Sequence, residues 1–478
     1  MIKKITIFAM LLVIVLAINT VVMASEWEKI NWDKPVSMLE RLTADKYILP
    51  EGWEEATKGV KEISFYNSGG LSGDIATAMN MELFKQKTGI ELKAIPVSGD
   101  CFDKVFSALV TKNGSIPLLL LDSPAVQMSA LSAQDRLGSL DHLYPPEIQE
   151  LYSPGLKNLL YRNGHWWGSL EVNFNYGATY YRPSWLKKAG VEVPTTFQEL
   201  FEAAKKVRAW ASKNVDPNAY GLVFGASKTG LTSILQELVY SQGGNFYDGQ
   251  YRFQGEETRN AVKYLADLCR EDVISTEVVN YMLTDVGMAF GIGRAGFAFS
   301  LMTSYARKFE TEFPVVKDDW AMLPPLKWDS DTPDKYGGAI ISANVGVINK
   351  FSNENEQAVA MLYLDFLRSK EAQANEVIVE GNDTAIPQYY DSSLVKLVDW
   401  DLANSVADQL GITRPNKIEE FPYMEIRKAI VNYAKCEEFP ANFPNIESEM
   451  CSQITQAMLG QITVDQAINS TQKYAEQF

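Results

Sequence analysis

The sequence predicts an α/β fold with at least two lobes, and three observations lead to this prediction. The chain has 478 residues, about three times the usual length of a single domain. Apolar residues make up 46% of it and charged residues 22%, which is typical of a globular protein rather than a disordered one. From residue 62 onward, strand-like and helix-like segments alternate. This alternation favours mostly parallel sheets with helices on both faces.

The first unit is predicted to follow the order strand, helix, strand, helix, strand. Its segments are 62–67, 74–88, 90–97, 102–111 and 118–121. Gly89 is the predicted end of the first helix.

A second unit is predicted to begin near His165, with a strand at 176–181 and a helix at 183–189 ended by Gly190. Residues that predict the starts of later helices are Thr196 with Glu199, Ser352, Ser369, and Thr463 with Gln466. Because no low-complexity linker separates the two units, we expect strands that cross between the lobes to join them.

The first 24 residues are predicted to be a cleavable signal peptide. Two lysines precede an apolar run at 5–18, and Val22 and Ala24 stand close to the A-x-A pattern of a cleavage site. We therefore expect an exported protein that starts at Ser25. No cysteine stands at the junction, so a lipid anchor is not expected. An uncleaved membrane anchor is the alternative.

Charge and composition exclude several kinds of site. The net charge is −16, and no basic patch is visible, so a nucleic-acid partner is not expected. With only two histidines, a histidine-built metal site is not expected either. The four cysteines allow three disulfide connectivities. Cys436 and Cys451 are the best candidate pair, and four buried thiols are the equal alternative.

Enzyme motifs give no catalytic centre. Residues 291–296 match G-x-G-x-x-G, but 297–301 read as a strand, whereas the dinucleotide fingerprint requires a helix there. A nucleophilic triad would need His142 or His165, for which surface or packing roles are expected. Nothing singles out a pair of carboxylates for glycoside hydrolysis. We therefore predict no enzyme activity and no cofactor.

Aromatic and amide side chains stand where predicted strands end. Tyr66 and Asn67 close the first strand, Asp122 and Ser123 follow the third, and Asn173 precedes the strand at 176–181. Ligands of open α/β sheets bind outside the carboxyl ends of the strands. Aromatic faces cover sugar rings and amides bond their hydroxyls, so these residues suggest a carbohydrate site. Core packing and turn formation are the alternative roles.

Several short motifs occur in a fixed order along the chain. They are Phe84–Ile90 (FKQKTGI), Asn163–Gly168 (NGHWWG), Tyr180–Arg182, Lys188–Gly190, Pro194–Leu200 (PTTFQEL), Gln242–Gly244, Gly293–Phe297, Tyr336–Gly338 and Arg414–Pro415. In this order the chain resembles the bacterial extracellular solute-binding proteins, the family that includes maltose-binding protein. Leu118 and Leu170 depart from the family pattern, the second at the expected entrance to the hinge.

This resemblance implies a two-lobed periplasmic-binding-protein fold hinged by crossing segments. The N-terminal lobe would comprise 25–170 and 341–385, and the C-terminal lobe 171–340 and 386–478, after the signal peptide 1–24. By position in the family, the ligand-binding residues would be Tyr66, Asn67, Asp122, Ser123, Glu171, Asn173, Asn175, Ser300, Thr303, Tyr305, Gly337 and Gly338. Tyr305 would stack on a sugar ring, and the alternative is that it packs in the core.

The resemblance also implies a function. A monomeric periplasmic protein would capture a carbohydrate between its lobes and deliver it to the permease subunits of an ABC importer. Three alternatives remain: an exported carbohydrate-active enzyme, a receptor or chemosensory adaptor, and a binding protein for another solute such as a polyol phosphate or a polyamine.

Overall fold

The computed structural model describes residues 25–68, 74–97, 101–121, 124–170, 175–384, 386–420 and 423–478. The strands in these ranges, β1 to β13 in chain order, are Glu62–Ser68, Glu91–Val97, Leu118–Leu121, Leu137–Gly138, Tyr161–Arg162, His165–Trp166, Gly168–Leu170, Asn175–Tyr181, Tyr220–Val223, Ala295–Met302, Ala321–Met322, Ile341–Ser342 and Val345–Asn349. The α-helices, α1 to α19, are Met38–Thr43, Trp53–Ala56, Ile75–Thr88, Cys101–Val110, Pro124–Ser132, Pro146–Gln149, Pro154–Leu160, Pro183–Ala189, Phe197–Asn214, Lys228–Tyr240, Glu256–Arg270, Leu283–Gly291, Tyr305–Thr311, Glu354–Leu367, Lys370–Ala374, Trp400–Leu410, Met424–Tyr433, Phe443–Met458 and Val464–Ala475. Asn375–Glu380 forms a π-helical turn directly after α15.

The strands form two main sheets, one in each lobe. The first has the order β2-β1-β3-β13-β4, with β7 also paired to β13. The second has the order β11-β8-β10-β9, with β12 also paired to β8. Apolar side chains of β3 and β10 are buried in the cores of their respective lobes. This confirms the predicted two-lobed α/β fold.

The sheets are mixed rather than mostly parallel. In the first sheet β1 runs parallel to β2 and β3, but β13 is antiparallel to β3, β4 and β7. In the second sheet β9 and β10 are parallel, but β8 is antiparallel to β10, β11 and β12. The antiparallel strands include those by which the chain passes from one lobe to the other. The alternation of strands and helices in the sequence does not reveal the direction in which such strands run.

Two neighbouring segments cross between the sheets. β7 belongs to the first sheet and β8 to the second, and the return passes from β12 to β13. Leu170 pairs with Val345 on the first-lobe side, and Asn175 pairs with Ser342 on the second-lobe side. The two crossings are therefore antiparallel partners in both sheets, as expected for a hinge made of crossing strands.

Local sequence signals account for the ends of several helices. The Asp74 carboxylate accepts a hydrogen bond from Thr77 N at 3.0 Å, and α3 ends at Gly89 as predicted. At α19, Gln466 N donates to Thr463 Oγ1 (3.2 Å) and Thr463 N donates to Gln466 Oε1 (2.8 Å). This reciprocal arrangement is the predicted capping box.

Two of the predicted helix starts differ in detail. Thr196 accepts from Glu199 N (3.1 Å), but the Glu199 carboxylate accepts from Thr195 N (2.8 Å). The prediction for Ser352 is wrong, because Asn353 caps α14 by accepting from Asn355 N at 2.9 Å.

Residues 387–410 lie beside the first sheet. The sequence instead predicts that residues 386–478 belong to the C-terminal lobe. Helix α16 packs against α3, and the hydroxyl group of Tyr389 donates to Leu42 O at 2.7 Å. The chain contacts the second lobe again at α17, which packs against β8. These contacts assign α16 to the N-terminal lobe and α17 to the C-terminal lobe.

Cys436 and Cys451, both in the described part of the chain, are not joined by a disulfide. The Cys436 thiol donates to Glu437 O at 3.6 Å, whereas the Cys451 sulfur lies 3.5 Å from Thr232 Oγ1 in α10. Both are buried, so the thiol alternative holds for this pair.

The glycine-rich motif lies between a helix and a strand. Gly291 ends α12, and β10 begins at Ala295, which is the reverse of the strand-to-helix order that binds a dinucleotide. Across the described residues, none of the helices combines the length and the hydropathy needed to span a bilayer.

Candidate functional site

The twelve predicted ligand-binding residues fall into three groups in the structure. Asp122, Ser123, Glu171 and Asn173 lie outside the described residues. Tyr66, Asn67 and Asn175 lie on strands. Ser300, Thr303, Tyr305, Gly337 and Gly338 lie in the second lobe, near the crossings.

Three of the predicted residues lie on strands, close to the strand ends at the boundary between the lobes. Tyr66 and Asn67 stand opposite Ile95 and Pro96 near the carboxyl end of β1, and Tyr66 is half-buried. Asn175 begins β8, immediately after the first crossing. The carboxyl end of a parallel strand is the usual place for a ligand. Their role in binding stays a prediction.

Helix α10 places a carboxyl group inside the second lobe. The Glu237 side chain is only 2% exposed, and the hydroxyl group of Ser300 donates a hydrogen bond to it. A Cβ atom added to Gly177 of β8 would collide with the Glu237 carboxyl group. Ser300 has a φ angle of 55° and lies where the register between β8 and β10 shifts. This irregularity accompanies the contact between Ser300 and the acid.

Glu237 is a neutral acid at pH 7. Burial raises its pKa to about 8, and the hydrogen bond from Ser300 offsets only part of this effect. In the described part of the chain, burial and the Ser300 hydrogen bond are the influences on its pKa, and no basic side chain is among them. The protonated carboxyl group can both donate and accept hydrogen bonds.

A second buried polar cluster joins the lobes beyond the end of β10. The Thr303 hydroxyl group donates to Asp383, and the Tyr390 hydroxyl group donates to Asp383 Oδ1 at 3.0 Å. Arg427 Nη1 lies 3.6 Å from the same oxygen, and Arg427 Nη2 donates to Gly381 O at 2.9 Å. Asp383 follows the π-helical turn of the first lobe, whereas Thr303 and Arg427 belong to the second. The Thr303 side chain is therefore engaged within the protein.

Tyr305 is the first residue of α13 and is 4% exposed. Its ring centroid lies 5.8 Å from that of Phe309, and the ring covers Gly287 of α12 so closely that a Cβ there would collide with it. These contacts favour the core alternative for Tyr305 over stacking on a sugar.

The two predicted glycines pack against side chains of the second lobe. A Cβ atom on Gly338 would lie 2.8 Å from the Phe197 ring and 2.9 Å from Glu237 O. On Gly337 it would lie 2.9 Å from the Tyr433 ring. Close packing at the start of the second crossing thus accounts for both glycines.

Sequence reasoning missed Glu237, Asp383 and Arg427. The local sequence gave little signal for Glu237, because it follows the polar Gln236 between Leu235 and Leu238. Asp383 and Arg427 are 44 positions apart and gave no local signal. Within the described ranges, no group of three or more His, Cys, Asp or Glu residues is arranged to hold a metal ion.

Comparison with known proteins identifies the family. The sequence profile of the bacterial extracellular solute-binding proteins matches residues 69–374. A putative ABC transporter periplasmic-binding protein, YcjN of Escherichia coli K12, is 23% identical over 399 residues, which cover 82% of this chain and 85% of the relative.

Solved structures agree with the fold. Maltose-bound MalE3 of T. maritima has a TM-score of 0.69 and 21% identity, covering 87% of this chain and 99% of its own. A solute-binding protein of an ABC transporter from Agrobacterium radiobacter K84, in complex with ribitol, has a TM-score of 0.68 and 19% identity, covering 88% and 98%. The match over well more than half of the sequence confirms the predicted family, and the chain belongs to the bacterial extracellular solute-binding proteins.

Proposed function

We propose that this protein captures a sugar or sugar alcohol between its lobes and delivers it to the permease subunits of an ABC importer. The paired crossings at Leu170–Val345 and Asn175–Ser342 carry this proposal. Two antiparallel strands can bend together while each sheet keeps its own packing, which is the geometry of a hinge closure. The relatives solved with maltose and ribitol support carbohydrates and polyols as the solute class.

Binding would follow from contacts made by both lobes at once. A ligand that touches both lobes only when they are closed shifts the population toward the closed form. Tyr66, Asn67, Asp122 and Ser123 would contribute from the N-terminal lobe, and residues 171–175 from the crossing. Ser300 and Thr303 are already bonded to Glu237 and Asp383, so the residues of the first lobe are the better targets for mutation.

A thermal-shift screen over sugars, sugar alcohols, sugar phosphates and polyamines tests the solute class. A ligand at 100 times its Kd adds about 2.7 kcal/mol to the stability of the folded state. We expect a hit among neutral sugars or polyols, lost in Asp122→Ala and accompanied by compaction in X-ray scattering. Saturable binding of only phosphorylated or cationic solutes would contradict the proposal.

The protein would act by binding rather than catalysis, as a monomer in the periplasm. Incubation with the hit from the screen should return it unchanged, whereas products would indicate an enzyme. N-terminal sequencing of exported protein should begin at Ser25. A chain that retains Met1 would contradict the predicted cleavage.

A further inference from the structure

Helix α13 of the second lobe carries an arginine that reaches the first lobe. Arg307 Nη1 donates a hydrogen bond to the main-chain oxygen of Val379, and it lies 3.5 Å from Glu380 Oε2. Val379 and Glu380 are the last two residues of the π-helical turn that follows α15. This contact between the lobes lies outside the paired crossings that form the proposed hinge.

The contact lies at the edge of the first lobe where solute is predicted to bind. Glu380 Oε1 accepts a hydrogen bond from Ile75 N at 2.7 Å, and Ile75 is the first residue of α3. Only residues 69–74 separate α3 from the end of β1, the strand that carries Tyr66 and Asn67. Glu380 therefore belongs to the edge at which β1 has its carboxyl end, the usual place for a ligand of such a sheet.

The charges on the two sides of this contact are complementary. On the first-lobe side Glu380 lies beside two buried acids, Asp74 and Glu376. Burial and then the charge of Glu380 raise the pKa of Asp74, and Arg307 opposes this rise. The cation that pairs with this group of acids therefore comes from the second lobe. When the lobes separate, the acids lose it.

Solvent reaches the Arg307 contact but not the neighbouring contact of Arg427. The side chains of Arg307 and Glu380 are 24% and 21% exposed. Arg427 is fully buried and donates to Gly381 O at 2.9 Å and to Asn382 O at 3.1 Å. Water can replace the partners of Arg307 when the lobes separate, whereas the interior contact of Arg427 costs more to break. Arg307 is therefore the better candidate for a contact that forms and breaks.

We propose that Arg307, by pairing with Glu380 and bonding Val379, acts as a latch that favours the closed arrangement of the lobes. The latch acts on the lobes themselves, so it requires no contact with solute. Apparent affinity rises with the fraction of the protein that is already in the binding-competent form, so Arg307 sets how tightly solute is held. This effect on capture rests on the proposed function, whereas the latch itself does not.

X-ray scattering of the mature protein without solute tests the latch. Arg307→Ala and Glu380→Gln should each increase the radius of gyration, and the double variant should match Arg307→Ala because both changes remove the same pairing. Glu380→Gln keeps a side-chain oxygen for Ile75 N. Lys308→Ala is the matched control, because it removes a positive charge from the same helix while Lys308 lies over the ring of Tyr305 within the second lobe. Its radius should equal that of the wild type.

Calorimetry with maltose and ribitol tests the effect on capture. A solute that binds the wild type should bind Arg307→Ala about five- to thirtyfold more weakly, as expected when a partly exposed charged contact is lost, and Lys308→Ala equally well. Equal radii for the wild type, Arg307→Ala and Glu380→Gln would overturn the latch. A larger radius with unchanged affinity would overturn its role in capture. Failure of both solutes to bind would count against the proposed function, and scattering would still decide on the latch.

Discussion

Asp365 in the first lobe and Glu237 in the second are both buried carboxyl groups, but they have opposite surroundings. Asp365 accepts hydrogen bonds from Arg41 Nε at 3.0 Å and from the Tyr47 hydroxyl group at 2.6 Å, and Arg368 pairs with its other oxygen. Glu237 receives its side-chain hydrogen bond from Ser300. One acid therefore lies between two cations, whereas the other faces a neutral hydroxyl group.

The difference sets the charge of each acid. Burial alone would raise the pKa of Asp365, but Arg41 and Arg368 outweigh burial and lower it. Burial raises the pKa of Glu237 to about 8. The ionised Asp365 thus holds the N-terminal segment that carries Arg41 and Tyr47 against α14. The neutral Glu237 fills a packed site beside the crossing strands and can change its charge near neutral pH.

The largest effect is expected from removing the acid that is paired with cations. Asp365→Ala leaves two buried guanidinium groups without their anion, and such a loss typically costs about 3–5 kcal/mol. Urea unfolding at pH 7 measures the change. The matched control is Asp408→Ala, which breaks an exposed pair with Arg414 and should change the free energy of unfolding little. Equal effects of the two variants would show that the buried pairing does not stabilise this lobe.

In the second lobe the packing around Tyr305 offers a comparable test. Tyr305→Ala should lower the free energy of unfolding by about 3–5 kcal/mol, as for other buried aromatic residues, with solute affinity largely unchanged. Tyr305→Phe keeps the ring over Gly287 and is the control. Urea unfolding and calorimetry with the solute from the screen measure both quantities. Lost affinity with unchanged stability would support sugar stacking and refute the core role.

Local signals predicted much of the fold. Asp74 and Thr463 cap helices through atoms at most three residues away, so the sequence contains the whole interaction. The absence of a linker predicted crossing strands, and the paired crossings confirm them. The direction of β8 and β13 depends on pairing between distant segments, and for that reason the mixed sheets could not be predicted.

The interior of the candidate site depends on long-range packing. A single acid in an amphipathic helix is normally placed on the solvent face, but Gly177 and Ser300 approach the Glu237 carboxyl group inside the lobe. Tyr305 was predicted to face the ligand from its place after a strand, yet its burial results from α12 packing beneath it. Asp383 lies in the first lobe and Arg427 lies on α17 of the second. Their contact therefore depends on how the two lobes meet, and no local sequence pattern reveals this.

The contrast between Asp365 and Glu237 predicts that Glu237 makes the free energy of unfolding depend on pH. Its folded pKa of about 8 lies above the ordinary 4.5, so its contribution to stability is fully present below about pH 4.5 and is lost as the pH rises to about 8. Between pH 5.5 and 7.5, the wild type should lose about 1.4 kcal/mol per pH unit more than Glu237→Gln. Urea unfolding across this range measures the difference.

Glu437 provides the comparison for that experiment. Burial also raises its pKa to about 8, and its carboxylate accepts from Phe246 N at 2.8 Å. Glu437→Gln should flatten the profile by a similar amount, and the double variant should be flatter than either. Parallel profiles for wild type and Glu237→Gln would mean that Glu237 ionises in the folded protein as it does in the unfolded chain.

The smallest effect is expected from removing the Ser300 hydroxyl group, which donates a hydrogen bond to Glu237. The Ser300 hydrogen bond favours the charged form, so Ser300→Ala should raise the pKa of Glu237 further. The wild-type profile levels off near pH 8, whereas the variant should continue to lose stability above it, by about 1 kcal/mol, which is the usual difference between a hydrogen bond to a charged acceptor and one to a neutral acceptor. Urea unfolding at pH 6.5 and 9 measures this difference. In the Glu237→Gln background the same substitution should leave the shape of the profile unchanged, and a change there would assign the effect to another group.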